Sequence, residues 1–226
     1  MKIVVAVRCY NEEKNIERFL HGYDFADLII ASDGGSADKS VEMLTGRDKV
    51  KLLHFDQRET VGGQTWNPDS LHMNFVISAA EAEGPDWIIL DDMDDVPNYL
   101  LREQARDILE NCGHSQVNAF RLYMWGDTQY FPHMNRDFSP EYRSLWAWKP
   151  KDLNIYAHPK VRHGTILGTS ADYCGIDPPL CLLHKSWDPD TIDAKIERYN
   201  ALGLEAHHPL VFAGEPIELP EYAHEN

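Results

Sequence analysis

The sequence predicts an α/β fold: a mostly parallel sheet flanked by helices, with a smaller mixed α/β region completing it. Three observations predict it. The first part of the chain alternates strand and helix four times. The fourth strand, Trp87-Ile88-Ile89-Leu90, is apolar without alternation, as expected where both faces are covered. Three strand ends, Arg8 to Glu12, Asp33 to Ser36 and Asp91 to Asp95, carry polar residues at the rim where such sheets bind ligands.

The elements follow in order. Lys2 to Val7 is β-branched and apolar, and it runs into the polar loop Arg8-Cys9-Tyr10-Asn11. Asn11 is suited to cap a helix that places Ile16, Phe19 and Leu20 on one face. Leu28 to Ala31 is a second strand, and Ser36 or Asp38 opens a helix carrying Val41 and Leu44. Val50 to Phe55 reads as a third strand, and Ser70 to Glu83 as a helix stopped by Gly84-Pro85. Beyond a helix from Tyr99 to Cys112 the pattern loosens. Val117 to Trp125, Arg143 to Trp148 and Leu180 to His184 read as strands, and Asp188 to Leu202 as a helix. No repeat or low-complexity linker divides the chain. It reads as one domain over 1–226, with a regular first part (1–98), a looser second part (99–204) and an irregular tail (205–226).

Composition narrows the function. With 43% hydrophobic residues the chain can bury a core, and no apolar run is long enough to span a bilayer. No secretory signal is visible. Lys and Arg number 21 against 37 Asp and Glu, a formal net charge of -16. That surface disfavours nucleic acid and anionic lipid, which bind through basic clusters. The four cysteines form no C-x-x-C pair and no zinc pattern, which fits reduced thiols in a cytoplasmic protein.

Asp91-Asp92-Met93-Asp94-Asp95 carries the most chemistry. Four carboxylates in five residues repel one another unless solvent or a cation neutralises them. Mg²⁺ and Mn²⁺ take oxygen ligands and leave positions for phosphate oxygens. On an extended chain Asp92 and Asp94 face the same side. A solvated acidic turn before a helix is the other reading of the same residues.

Ile3 to Leu20 (IVVAVRCYNEEKNIERFL), Leu28 to Leu44 (LIIASDGGSADKSVEML) and Trp87 to Pro97 (WIILDDMDDVP) together resemble the signature blocks of GT-A-fold, family 2-like glycosyltransferases. The resemblance implies a Rossmann-like nucleotide-binding sheet, with 1–98 as the nucleotide-sugar-binding half and 99–204 as the acceptor-side half. It also implies transfer of a single sugar from a nucleoside-diphosphate sugar, UDP- or GDP-linked, to an acceptor hydroxyl. By that resemblance Arg8, Tyr10, Glu12 and Asp33 contact the nucleobase side of the donor. Asp92 meets the ribose, Asp94 binds the divalent cation (Mn²⁺ or Mg²⁺), and Asn74 lies near the donor. Leu183-His184-Lys185-Ser186-Trp187 resembles a late segment in which His184 is a further metal ligand and Lys185 approaches the diphosphate; a hydrogen-bonded core histidine and a surface lysine are the alternatives. The physical logic agrees, because a departing diphosphate needs electrostatic stabilisation and no protein nucleophile.

The chain also departs from that family. Gly34 stands where a second Asp is frequent, and Arg8-Cys9 replaces Pro or small polar residues. No Glu-Asp dipeptide supplies the usual base; Asp172 and Asp177 are the candidates in the appropriate region, unless the leaving phosphate activates the acceptor. Trp125, Tyr130, Phe131, Tyr142, Trp146 and Trp148 offer stacking surfaces or core, and Arg121, Arg136 and Arg143 offer contacts to an anionic acceptor. Two other functions compete. Asp92-Met93-Asp94-Asp95-Val96 also fits a haloacid-dehalogenase-like phosphatase with Asp92 as nucleophile, and a non-catalytic nucleotide-sugar-binding module needs no base.

Overall fold

The structure, a computed structural model, describes residues 1–61, 64–66, 69–131, 143–158, 166–187, 189–190, 192–201, 216–218 and 220–221. The first strand, β1 (Ile3–Cys9), is its centre, and Ile3 to Val7 have no exposed surface. The apolar run with no polar alternation explains that position: Ile3, Val5 and Val7 face one core, Val4 and Ala6 the other. α1 (Ile16–Gly22) covers the first face through Ile16 and Phe19. β2 (Leu28–Asp33), α2 (Ser40–Leu44) and β3 (Val50–His54) follow, then a small antiparallel hairpin, β4 (Glu59–Val61) and β5 (Gln64–Trp66). α3 (Asp69–Glu81) seals the second face with Met73, Val76, Ile77 and Ala80, and β6 (Trp87–Asp92) completes the parallel set. A valine, isoleucine or methionine among them contributes about 1.5–3 kcal/mol on full burial.

β7 (Asp95–Pro97) leads into α4 (Tyr99–Asn111). The latter is capped by Asn98, whose Oδ1 accepts from Leu101 N at 3.0 Å. Then come β8 (Gln116–Ala119), β9 (Arg121–Trp125), β10 (Gln129–Tyr130), β11 (Ser144–Trp148), β12 (Tyr156–Ala157), β13 (Ile166–Leu167), β14 (Cys174–Ile176), β15 (Leu182–Trp187), α5 (Ile192–Ala201) and β16 (Ile217–Glu218). The main sheet runs β14-β8-β11-β6-β1-β2-β3, parallel from β6 to β3 and antiparallel on either side of β11. A second sheet runs β16-β10-β9-β15-β7.

Four local expectations are corrected. Asn11 does not cap α1: it sits at φ 57, its Oδ1 accepts from Ala37 N at 2.8 Å, and the helix begins at Ile16. The second helix starts at Ser40, because Asp38 turns back to accept from Ser40 N at 2.9 Å. Val117 to Trp125 is not one strand; it breaks at Phe120, and its halves join different sheets. The tail contains β16, paired with β10; most of 205–226 lies outside the described residues.

Register places the predicted rim. Arg8 is opposite Asp92 on β6 and Ser32 on β2, and Cys9 is opposite Asp33. The three polar strand ends therefore meet at the carboxyl edge of the parallel strands, as the alternation predicts.

Candidate functional site

The site is built on a two-residue connection between the sheets. β6 belongs to the main sheet and β7 to the second, and only Met93 and Asp94 separate them. Those two residues form a turn, so the side-to-side alternation of an extended chain does not hold here. Asp92 and Asp94 consequently border different clefts, while Asp91 and Asp95 turn into the protein, 4% and 3% exposed.

Buried carboxylates need partners, and these have them. The Tyr23 hydroxyl donates to Asp91 Oδ2. Arg121 donates through Nη2 to Asp91 Oδ1 at 2.5 Å and through Nε to Asp95 Oδ2 at 3.1 Å. His184 Nδ1 lies 2.7 Å from Asp95 Oδ1 and 4.0 Å from Asp94 Oδ1. Burial disfavours a charged imidazole, yet Asp95 and Asp94 outweigh it and raise His184 to about 9. Desolvation opposes ionisation of Asp95 as well, but His184 and Arg121 hold it well below the usual carboxylate range. Asp94 goes the other way: burial raises it, His184 opposes, and repulsion from Asp95 and Asp92 adds to the rise. Of Asp94, Asp95 and His184, it is the one whose charged form its surroundings disfavour.

Donor atoms of Asp94, Asp95 and His184 lie within 4.8 Å of one another, and no other such trio occurs among the described residues. Two carboxylates and an imidazole suit Mn²⁺, and the carboxylates suit Mg²⁺. The raised Asp94 is consistent with a place for a cation. The residues fit the metal.

A cleft of about 660 Å³ opens beside this cluster, bordered by Arg8, Asp69, Asp92, Arg121, Tyr123 and His184 among others. Arg8 spans it, donating to Asp92 at 2.7 Å and to Asp69 at 3.4 Å. Desolvation raises the Asp92 carboxyl, but Arg8 overcomes this and keeps it below its ordinary value. On the other side of the turn a cleft of about 650 Å³ collects Tyr10, Glu12, Asp94, Lys185 and Lys195. Tyr10 is 41% exposed there. Burial and the nearby Asp94 push Glu12 to about 7, against a 2.7 Å hydrogen bond from Asn15. Lys185 pairs with Asp127 and donates its backbone N–H to Asp94 O at 2.8 Å.

The structure thus brings Arg8, Asp92, Asp94 and His184 together, with Tyr10, Glu12 and Lys185 across the turn. Other candidates are engaged elsewhere. Asp33 is buried and accepts from Gly35 N at 2.8 Å and Ser36 N at 3.1 Å, which shapes the loop after β2. Asn74 exchanges two hydrogen bonds with the backbone of Ala157, tying α3 to β12. Asp177 forms a two-pronged pair with Arg143, whose guanidinium borders the first cleft. Asp172 is exposed and lies 3.0 Å from His114 Nδ1. Neither Asp172 nor Asp177 is among the side chains bordering the cleft. Trp146, Trp148 and Phe131 are fully buried, so they are core and not stacking platforms; Tyr142 and Arg136 lie outside the described residues.

Sequence reasoning singled out neither Asp95 nor Tyr23, and treated Arg121 as an acceptor contact. The available signal was physical: two of four adjacent carboxylates behind a buried strand must face inward, and inward charges require an arginine.

No protein-family model matches the chain, and no curated protein matches its sequence. Solved structures do. S. aureus TarS 1-349 shares 15% identity over 94% of this chain and 73% of that one, with a TM-score of 0.50. TarS 1-349 in complex with UDP shares 17% over 78%, with a TM-score of 0.45, and this chain covers 61% of its length. A mycobacterial protein shares 12% over 97% of this chain and 84% of its own, with a TM-score of 0.48. The fold is GT-A-like, the fold of GT-A glycosyltransferases.

Proposed function

We propose that the protein is a metal-dependent glycosyltransferase that moves one sugar from a nucleoside-diphosphate sugar to an acceptor hydroxyl. The supporting observation is the group of Asp94, Asp95 and His184 at the carboxyl edge of a GT-A-like sheet, beside a cleft spanned by Arg8 and Asp92. Asp94 and His184 would hold the cation, Mn²⁺ or Mg²⁺. When bound, it supplies Lewis-acid neutralisation of diphosphate charge and offsets repulsion between an acidic protein and an anionic donor.

The chain's own residues would do the rest. Arg8, held by Asp92 and Asp69, brings a cation to the donor cleft without leaving a bare charge. Asp92, kept ionised by Arg8, is an acceptor for ribose hydroxyls. Tyr10 offers an exposed ring for a base, and Lys185 a second cation near the diphosphate. Asp33 and Asn74 would act by shaping the loop after β2 and by seating α3. Asp177 would act by holding Arg143 at the cleft border, and either Asp177 or Asp172 would have to reach the acceptor hydroxyl itself to serve as its base.

UDP is the first donor moiety to test, because TarS has been crystallised with UDP and with UDP-GlcNAc. Calorimetry should show UDP binding that requires Mn²⁺ in the wild type and is lost in Asp94→Ala, with the thermal midpoint preserved. Undiminished Mn²⁺-dependent binding in Asp94→Ala would refute the ligand assignment. The phosphatase reading gains nothing from the structure, since Asp92 is held by Arg8 on a strand inside a GT-A-like sheet. Phosphate release from a phosphomonoester, abolished by Asp92→Asn, would reinstate it.

A further inference from the structure

Resting on the metal reading above, we infer that Asp95 and Arg121 are positioning residues: they orient His184 for the cation and do not hold the cation themselves. A buried chain of alternating charge leads from Tyr23 to His184. Tyr23 donates to Asp91, Arg121 donates to Asp91 and Asp95, and Asp95 lies against His184 Nδ1. Both oxygens of Asp95 are committed, Oδ2 to Arg121 at 3.1 Å and Oδ1 to His184 at 2.7 Å. Its side chain is 4% exposed, against 15% for Asp94 and 18% for His184. Asp95 is thus the least accessible of the three and has both carboxylate oxygens engaged.

Chemistry gives that arrangement a direction. A histidine whose Nδ1–H donates to a carboxylate, and whose other ring proton leaves when a cation binds, offers its lone pair from Nε2. Metal-binding histidines commonly use that device, with a carboxylate behind the ring fixing tautomer and orientation. Here the carboxylate is fixed in turn by Arg121, and Arg121 by Asp91 and by Ser144, to whose hydroxyl it also donates. The Tyr123 ring meets the imidazole edge-on at 5.1 Å, a further constraint on its plane. Ligand donation then falls to Asp94 and His184, and charge compensation of the buried acids to Arg121.

The test is direct Mn²⁺ binding by the full chain in the presence of UDP, followed by electron paramagnetic resonance, with thermal midpoints recorded for each variant. An asparagine at 95 still offers a carbonyl oxygen to His184 Nδ1–H, and an alanine does not. Asp95→Asn is expected to stay within about tenfold of the wild-type Mn²⁺ affinity, and Asp95→Ala to lose about 10–100-fold. Asp94→Asn should lose more than either. Nitrogen modulation of the Mn²⁺ signal from a coordinated imidazole should persist in Asp95→Asn and vanish in His184→Ala. If Asp95→Ala does not fold, the comparison of Asp95→Asn with Asp94→Asn decides alone. Equal loss in those two overturns the positioning role while leaving the metal reading intact. A wild type that binds no Mn²⁺ with UDP overturns both.

Discussion

Arg8 is the side chain on which the donor cleft depends. It is partly exposed at 19%, and it meets one carboxylate from α3 and one from the end of β6. Removing it leaves Asp92 next to Asp94 and Asp95 without its cation, in a place where charged hydrogen bonds contribute about 1.5–3 kcal/mol. Arg8→Gln is therefore expected to weaken UDP binding by about tenfold or more, measured by calorimetry; unchanged affinity would remove Arg8 from the site. At this scale much was legible. The position of Arg8, Asp92 and Asp94 behind buried strands marks them as rim residues, and His184 follows an apolar run. Asp95 was not legible, because period-two reasoning assumes an extended chain and Met93-Asp94 contains no Gly or Pro to announce a turn.

Among the elements, α3 shows how a helix can set the end of a neighbouring strand. His72 on α3 donates from Nε2 to Ser32 O at 3.0 Å, with Ser32 Oγ at 2.8 Å, and stacks on Phe55 with centroids 4.5 Å apart. Burial, reinforced by Arg8, pushes the imidazole down to about 4. An unfolded histidine titrates near 6.5, so the unfolded chain binds the extra proton between pH 6.5 and 4. The stabilisation is complete above pH 6.5 and is lost as pH falls toward 4, on the order of 3 kcal/mol in all. Urea denaturation of the wild type should show this acid loss, and His72→Gln should show a flatter profile over the same range. Parallel profiles would mean that the ring titrates normally. Elements were legible where burial is two-sided and continuous, as in β1 and β6. They were missed where strands are short: β12, β13 and β16 have two residues each, too few for any periodicity.

The molecule as a whole carries a net charge of -16, which opposes compaction. Exposed repulsion is screened over about 30 Å at 0.01 M salt and about 10 Å at 0.1 M. Raising NaCl from low to physiological concentration is therefore expected to raise the thermal midpoint, by about 2–4 °C for each 1 kcal/mol regained. A fall would show that screened ion pairs such as Arg102–Asp24 outweigh the net repulsion. The four parallel strands of the main sheet were predictable from alternation. The second sheet was not, because β15 pairs with β7 and β9, partners far away in sequence that no local pattern joins. Its attachment to the first sheet through Met93 and Asp94 has a practical corollary. A crossing that short has no slack, so insertions or loop grafts there would pull both halves out of register at once. Anyone seeking to retune what this scaffold accepts should leave that crossing untouched and remodel the cleft border at Thr169 and Tyr173, remote from the joint in sequence, while keeping the bond from Ser170 N to Gln116 Oε1 that anchors this stretch.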